Sequence, residues 1–154
     1  DQIIKELEVR FQPLAVQKGI HLSSKASPNN WEAFCDCARI EQVLSNILGN
    51  ALKFTPAGGE VKIELNSNSE GFLISIHDNG PGIDPAQKKK IFERNWQDKK
   101  TSRLGNGLGL SISKAIMDAH KGKIWVESEM DRGSKFVVLI PVDLLATDSH
   151  LQPL

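Results

Sequence analysis

Two glycine turns constrain what this chain can fold into more than anything else in it. Asp78-Asn79-Gly80-Pro81-Gly82-Ile83-Asp84 follows an apolar run ending at Ile76, and Gly105-Asn106-Gly107-Leu108-Gly109-Leu110 runs straight into an apolar helical pattern. Glycine turns at the ends of regular elements let backbone approach a bound group closely. A carboxylate in the first turn, and free amides at the helix start behind the second, suggest a purine-phosphate pocket. The two usual nucleotide signatures are missing. No segment reads G-x-x-x-x-G-K-[ST], and neither cluster completes G-x-G-x-x-G. A nucleotide bound here is held by a third solution.

The bulk numbers permit such a pocket. At 154 residues the chain fits one domain that buries about 70% of its unfolded surface. Its 19 basic and 19 acidic residues cancel, which removes any general electrostatic drive toward nucleic acid or an anionic membrane. No apolar run reaches the length of a membrane span, so no direct membrane contact is expected. The chain opens without Met inside a helical pattern, as a piece of something longer would. Cys35 and Cys37, without a second thiol pair, suit free thiols in a reducing, cytoplasmic compartment better than a zinc site.

The elements follow from periodicity. Ile3, Ile4, Leu7, Phe11, Leu14 and Ala15 recur at helical spacing, with a kink or break expected at Pro13. Residues 20–24 and 31–35 read as a short strand pair around Ser27-Pro28-Asn29-Asn30. A strong helix runs from Cys37 to Phe54, and hairpins are expected over 61–77 and 124–140. Between them come a short helix over 85–92, a polar loop over 93–105 and a helix over 108–119. Two hairpins, an N-terminal strand pair and about three main helices predict an α+β fold. The sheet is expected to be mixed and covered on one face.

Several side chains carry chemistry. Asn46, Asn50 and Lys53 stack along one stripe of the 37–54 helix, beside an apolar face. They are either a solvated helix face or the seat of a phosphate and a cation. One Asn oxygen suffices for Mg²⁺, which keeps most of its waters. Asp78 either accepts a hydrogen bond from an adenine amino group or closes an Asx turn on Gly80. A calcium loop is a weaker third reading, because position 12 counted from Asp78 is Lys89.

In order, these segments resemble the catalytic ATP-binding domain of bacterial sensor histidine kinases, whose fold is shared with the gyrase, chaperone and mismatch-repair ATPases. Arg39–Pro56 is similar to the family's N box, Asp78–Ile83 to its G1 box, Ile91-Phe92-Glu93-Arg94 to its F box and Gly105–Ile112 to its G2 box. Gly133-Ser134-Lys135-Phe136 fits the last glycine element. The resemblance covers residues 1–141 as the catalytic domain, with 142–154 as a tail. It implies a two-layer α/β sandwich of the Bergerat type, with a mostly antiparallel mixed sheet.

The resemblance also assigns roles. It implies that Asp78 reads adenine, that Asn50 is the Mg²⁺ ligand and that Asn46 contacts ribose and phosphate. Lys53 approaches the terminal phosphates, Phe54 packs near the base, and Arg103 offers a lid cation to the γ-phosphate. Gly80, Gly82, Ile83, Gly105, Gly107, Leu108, Gly109, Leu110 and Ser134 complete the nucleotide site, Phe92 anchors the lid, and Trp96 stands where Phe or Tyr is frequent. The implied activity transfers the γ-phosphate of Mg-ATP to a histidine. None of His21, His77, His120 or His150 lies in the acidic helical context of an acceptor, so the acceptor is expected on a phosphoacceptor and dimerisation domain outside this chain. A response regulator follows indirectly, and the fragment is expected to be monomeric. The alternatives are a nucleotide sensor that transfers nothing, an ATPase, or a Ser/Thr kinase of the same fold. Asn46 weighs against hydrolysis, since an amide cannot serve as the general base that activates water.

Overall fold

The computed structural model describes residues 2–27, 35–94, 96 and 107–142. Among them are three α-helices, α1 (Gln2–Gln17), α2 (Cys37–Phe54) and α3 (Gly109–Ala119). Five strands, β1 (His21–Ala26), β2 (Glu60–Asn68), β3 (Gly71–Asp78), β4 (Lys123–Glu129) and β5 (Gly133–Pro141), form one sheet ordered β1-β2-β3-β5-β4. β1 runs parallel to β2, and every other pairing is antiparallel. The expected mixed, mostly antiparallel sheet is therefore present.

Strand alternation sorts the sheet into two faces. Ile63, Ile76, Phe136 and Val126 form one row across neighbouring strands, and Leu65, Ile74, Val138 and Ile124 form the next. These rows meet the apolar faces of the helices. Ile40, Val43, Leu44, Ile47, Leu48, Ala51 and Leu52 of α2 are all buried against them, with Ile4 and Leu7 of α1 and Met117 of α3. α2 is also well defined at its ends. Asp36 Oδ1 accepts from the Arg39 amide at 3.1 Å, an N-cap that satisfies one orphan donor. At the other end Lys18 Nζ donates to the Leu52 carbonyl at 2.9 Å, satisfying one orphan acceptor.

Four expectations change in detail. Pro13 sits inside α1 without ending it. The carbonyl it deprives of a donor belongs to Val9, which is 74% exposed and open to water, while Ile4, Leu7 and Ala15 anchor the helix to the core. The first hairpin is longer than its apolar alternation, because Asn68 Oδ1 accepts from the amides of Glu70 and Gly71 and confines the turn to two residues. Residues 85–92 are not an α-helix but turns closing in a 3₁₀ segment, Lys90–Phe92. Asp84 captures the Ala86 amide with Oδ1 and the Gln87 amide with its carbonyl, which favours the tighter winding. The β1 strand pairs with β2, and the strand expected over 31–35 falls on residues outside those described, except Cys35, which is irregular.

Candidate functional site

The site begins where the core face of the sheet turns polar. One step beyond the row of Ile63, Ile76, Phe136 and Val126, the register aligns Val61, Asp78, Ser134 and Ser128. Asp78 is thus on the helix-covered face at the last position of β3. Its Oδ1 accepts from the Gly80 amide at 2.9 Å, so the Asx turn is real. Asp78 also lines a cavity of about 170 Å³ between α2 and the end of the sheet. The two readings are compatible: the turn holds the carboxylate where the cavity meets it. Burial pushes the Asp78 carboxyl above its ordinary value, while the amides of Gly80 and Ser134 hold it back.

The loop after Asp78 is pinned from both sides. Asn79 Oδ1 accepts from the Glu60 amide at 2.8 Å, and the Pro81 carbonyl accepts from the Asp131 amide at 2.8 Å. The Ile83 amide donates to Ser128 Oγ at 2.8 Å, and Lys88 Nζ donates to the Ser128 carbonyl. Gly82 has φ +75°, and a Cβ there would lie 2.1 Å from the Glu129 carbonyl oxygen. Only glycine fits against the β4–β5 hairpin at this point.

α2 supplies the facing wall. Asn50, Ala51 and Phe54 border the cavity, and Leu110 from α3 reaches it. Ile91, Trp96 and Phe136 close the apolar side, with Phe92 edge-on to Phe136 at 6.5 Å between ring centroids. A mostly apolar slot with a carboxylate and a hydroxyl at one end suits a flat heteroaromatic ring bearing polar edges.

Of the residues singled out from the sequence, Asn50, Phe54, Asp78, Gly82, Ile83, Leu110 and Ser134 meet around this cavity. Gly80 joins through its bond to Asp78. Asn46 does not line the cavity; its Nδ2 donates to the Gly109 carbonyl and to Ser113 Oγ, both at 3.3 Å, tying α2 to the first turn of α3. Lys53 Nζ lies 4.8 Å from the Phe54 ring centroid, outside the lining, and burial, then Lys18, holds its ammonium below the usual lysine value. Gly107 (φ +64°) and Leu108 lead into α3, which Gly109 opens. Arg103 and Gly105 lie outside the described residues.

Sequence reasoning placed Ala51, Pro81, Ile91 and Phe136 within the family's boxes without giving them a binding role, and passed over Gln87; all five border the cavity, and Ser128, also passed over, fastens its loop. Ala51 and Phe136 carry a readable signal, since each follows the apolar period of its own element toward the site. Ser128 carries none, because its partners lie 45 residues upstream and in the next strand.

Two of the described histidines, His120 and His77, have other work. His120 Nδ1 donates to the Ile116 carbonyl at 2.8 Å while Nε2 accepts from the Asp36 amide at 3.1 Å, joining the end of α3 to the start of α2. His77, on the sheet face away from the helices, lies 3.4 Å from Glu64 Oε2 and 3.1 Å from Ser75 Oγ. Burial first of all keeps its imidazole below the ordinary value. Among the described residues no trio of His, Cys, Asp or Glu is placed to hold a metal. No helix of the described residues is long and apolar enough to cross a membrane.

A family model described as histidine kinase-, DNA gyrase B-, and HSP90-like ATPase matches residues 35–144. Sensor histidine kinase RppB of Synechocystis sp. is 34% identical over 145 residues, covering 92% of this chain and 32% of RppB. The catalytic domain of histidine kinase ThkA superposes with a TM-score of 0.81 at 33% identity, covering 91% of this chain and 92% of that one. ThkA in complex with the response regulator protein TrrA gives 0.76 at 31% identity, covering 91% of this chain and 39% of that one. The chain spans about a third of the length of the curated relatives it matches.

Proposed function

This chain belongs to the histidine kinase-, DNA gyrase B-, and HSP90-like ATPase family, as an ATP-binding catalytic domain of the histidine kinase type, and we propose that it transfers the γ-phosphoryl group of ATP to a histidine on a phosphoacceptor domain. The observation that carries the reading is the placement of acid. Among the described residues Asp78 is the one carboxylate bordering the cavity, and it sits at the ring-binding end. No other acid among the described lining residues, which include Asn50, is placed to activate water. Glu41, the acid nearest along α2, is engaged in an ion pair with Arg10.

In this reading Asp78 and Ser134 take the adenine edge, Phe54, Ile83 and Leu110 sandwich the base, and the backbone of Gly80, Gly82, Gly107, Leu108 and Gly109 approaches the nucleotide. Asn46 stands by the ribose and phosphates. Asn50 would hold Mg²⁺, which when bound supplies charge neutralisation on the phosphates. Lys53 and Arg103 offer further positive charge toward the γ-phosphate. An imidazole nitrogen from the acceptor domain forms the N–P bond as the bond to the β-phosphate oxygen breaks and ADP departs, so this chain contributes position and charge rather than a nucleophile. We further assign residues 1–141 to the catalytic domain and 142–154 to a tail. We place this domain in the cytoplasm, in a parent protein that is free or membrane-anchored and passes the phosphoryl group on to a response regulator.

The test supplies an acceptor domain in trans with radiolabelled Mg-ATP. Acid-labile label on the acceptor, with slow phosphate release in its absence, is the expected result. Acid-stable label would mean a Ser/Thr kinase, fast release without acceptor an ATPase, and binding without transfer a nucleotide sensor.

A further inference from the structure

The hydroxyl of Ser128 serves three groups at once. It lies 2.8 Å from the Ile83 amide nitrogen, 2.8 Å from the Gly133 carbonyl oxygen and 3.0 Å from Ser134 Oγ. A serine hydroxyl has one hydrogen and two lone pairs. The amide can only donate, so Ile83 fills one lone pair. The carbonyl can only accept, so Gly133 takes the hydrogen. Ser134 is left facing the second lone pair, and that contact is satisfied only if Ser134 donates.

This fixes the polarity of the cavity end. Ser134 is buried and borders the cavity beside Asp78, its direct partner across the strands. With its hydrogen committed to Ser128, the Ser134 hydroxyl can only accept from a ligand. Asp78, once ionised, can only accept as well. A hydroxyl free to rotate would serve a ligand donor or a ligand acceptor equally.

We propose that Ser128 is a specificity-determining positioning residue, which by holding the Ser134 hydrogen makes this end of the cavity acceptor-only and so selects a purine carrying an amino group over one carrying a carbonyl at the same place. The inference rests on the nucleotide reading above and extends it to a side chain that touches no ligand. Discrimination then comes partly from the unpaired acceptor that the wrong base would leave buried.

ADP and IDP test it, because position 6 carries an amino donor in the first and a carbonyl acceptor in the second, with N1 bare in the first and protonated in the second. Calorimetric titration of the whole chain should show a preference for ADP. Ser128→Ala releases the Ser134 hydrogen to donate to a carbonyl, and the ADP-to-IDP affinity ratio should contract by about tenfold, the equivalent of one buried hydrogen bond. Ser128→Thr, which keeps the hydroxyl, should retain the ratio. Equal weakening of both nucleotides by Ser128→Ala would show mere loop support and overturn the proposal. If Ser128→Ala does not fold, Ser134→Ala decides: a contracted ratio supports the acceptor role and an unchanged ratio overturns it. Failure of the unsubstituted chain to bind ADP at all would instead sink the nucleotide reading, and this inference with it.

Discussion

Gly82→Ala probes the joint on which the cavity depends. A Cβ at residue 82 would sit 2.1 Å from the Glu129 carbonyl oxygen, 2.8 Å from its carbon and 3.0 Å from the Met130 Cα, all of them backbone. None is the free end of a flexible side chain, so the loop itself must move by about an ångström or more to reach ordinary contact. That movement strains the two bonds flanking Gly82, Asp131 N–H to Pro81 and Ile83 N–H to Ser128. Losing them costs about 1 kcal/mol each, and an alanine held at positive φ adds about 1–2 kcal/mol. The sum is about 3–4 kcal/mol, or a fall in Tm of roughly 6–15 °C for a domain of this size. Pro81, Gly82 and Ile83 all border the cavity, so nucleotide affinity should fall along with stability. Gly49→Ala is the matched control: it lies within α2 with nothing within 4 Å of the added methyl, and should gain about 0.5–1 kcal/mol. Urea denaturation and ADP titration of both variants provide the assay. A Gly82→Ala protein within 1 kcal/mol of the parent, with its ADP affinity intact, would refute the reasoning that the loop is fastened to the hairpin.

Other predictions concern the two ends of the cavity. Asp78 has a folded-state pKa above its unfolded value, so its ionisation costs the fold stability at neutral pH, and that cost disappears as pH falls through the raised value. Asp78→Asn should therefore raise the Tm of the nucleotide-free protein at pH 7, with the gain shrinking toward acid, while preference for ATP over GTP is lost; a lower Tm at pH 7 or a retained preference would count against the assignment. Asn50→Ala should abolish the tightening of ATP binding by Mg²⁺ and leave affinity in chelator little changed, whereas an undiminished Mg²⁺ effect would remove Asn50 as the ligand.

Much of this was readable in the sequence because the decisive information was local. The 18 residues of α2 carry their own period, and Thr55-Pro56 stops them, so the helix and its Asn50–Phe54 face could be read from residue types alone. Asp78 was likewise legible as the polar end of an alternating strand. What escaped was set by partners far along the chain. Residues 85–92 have few apolar positions to order a helix, and the bond from Lys88 Nζ to the distant Ser128 carbonyl joins the local bonds that Asp84 accepts in deciding their path. Pro13 interrupts a helical pattern, yet burial of Ile4, Leu7 and Ala15 outweighs the bond it removes. Asn46 shows the limit in the site itself. Its stripe was visible, but the Nδ2 contacts to Gly109 and Ser113 depend on where α3 docks.

The most direct test of the central claim is a calorimetric titration of a non-hydrolysable ATP analogue into the chain, in excess Mg²⁺ and then in chelator, beside the guanine counterpart. The account predicts binding that favours adenine and tightens with Mg²⁺. No binding in either buffer, or equal affinity for the guanine analogue, would contradict it.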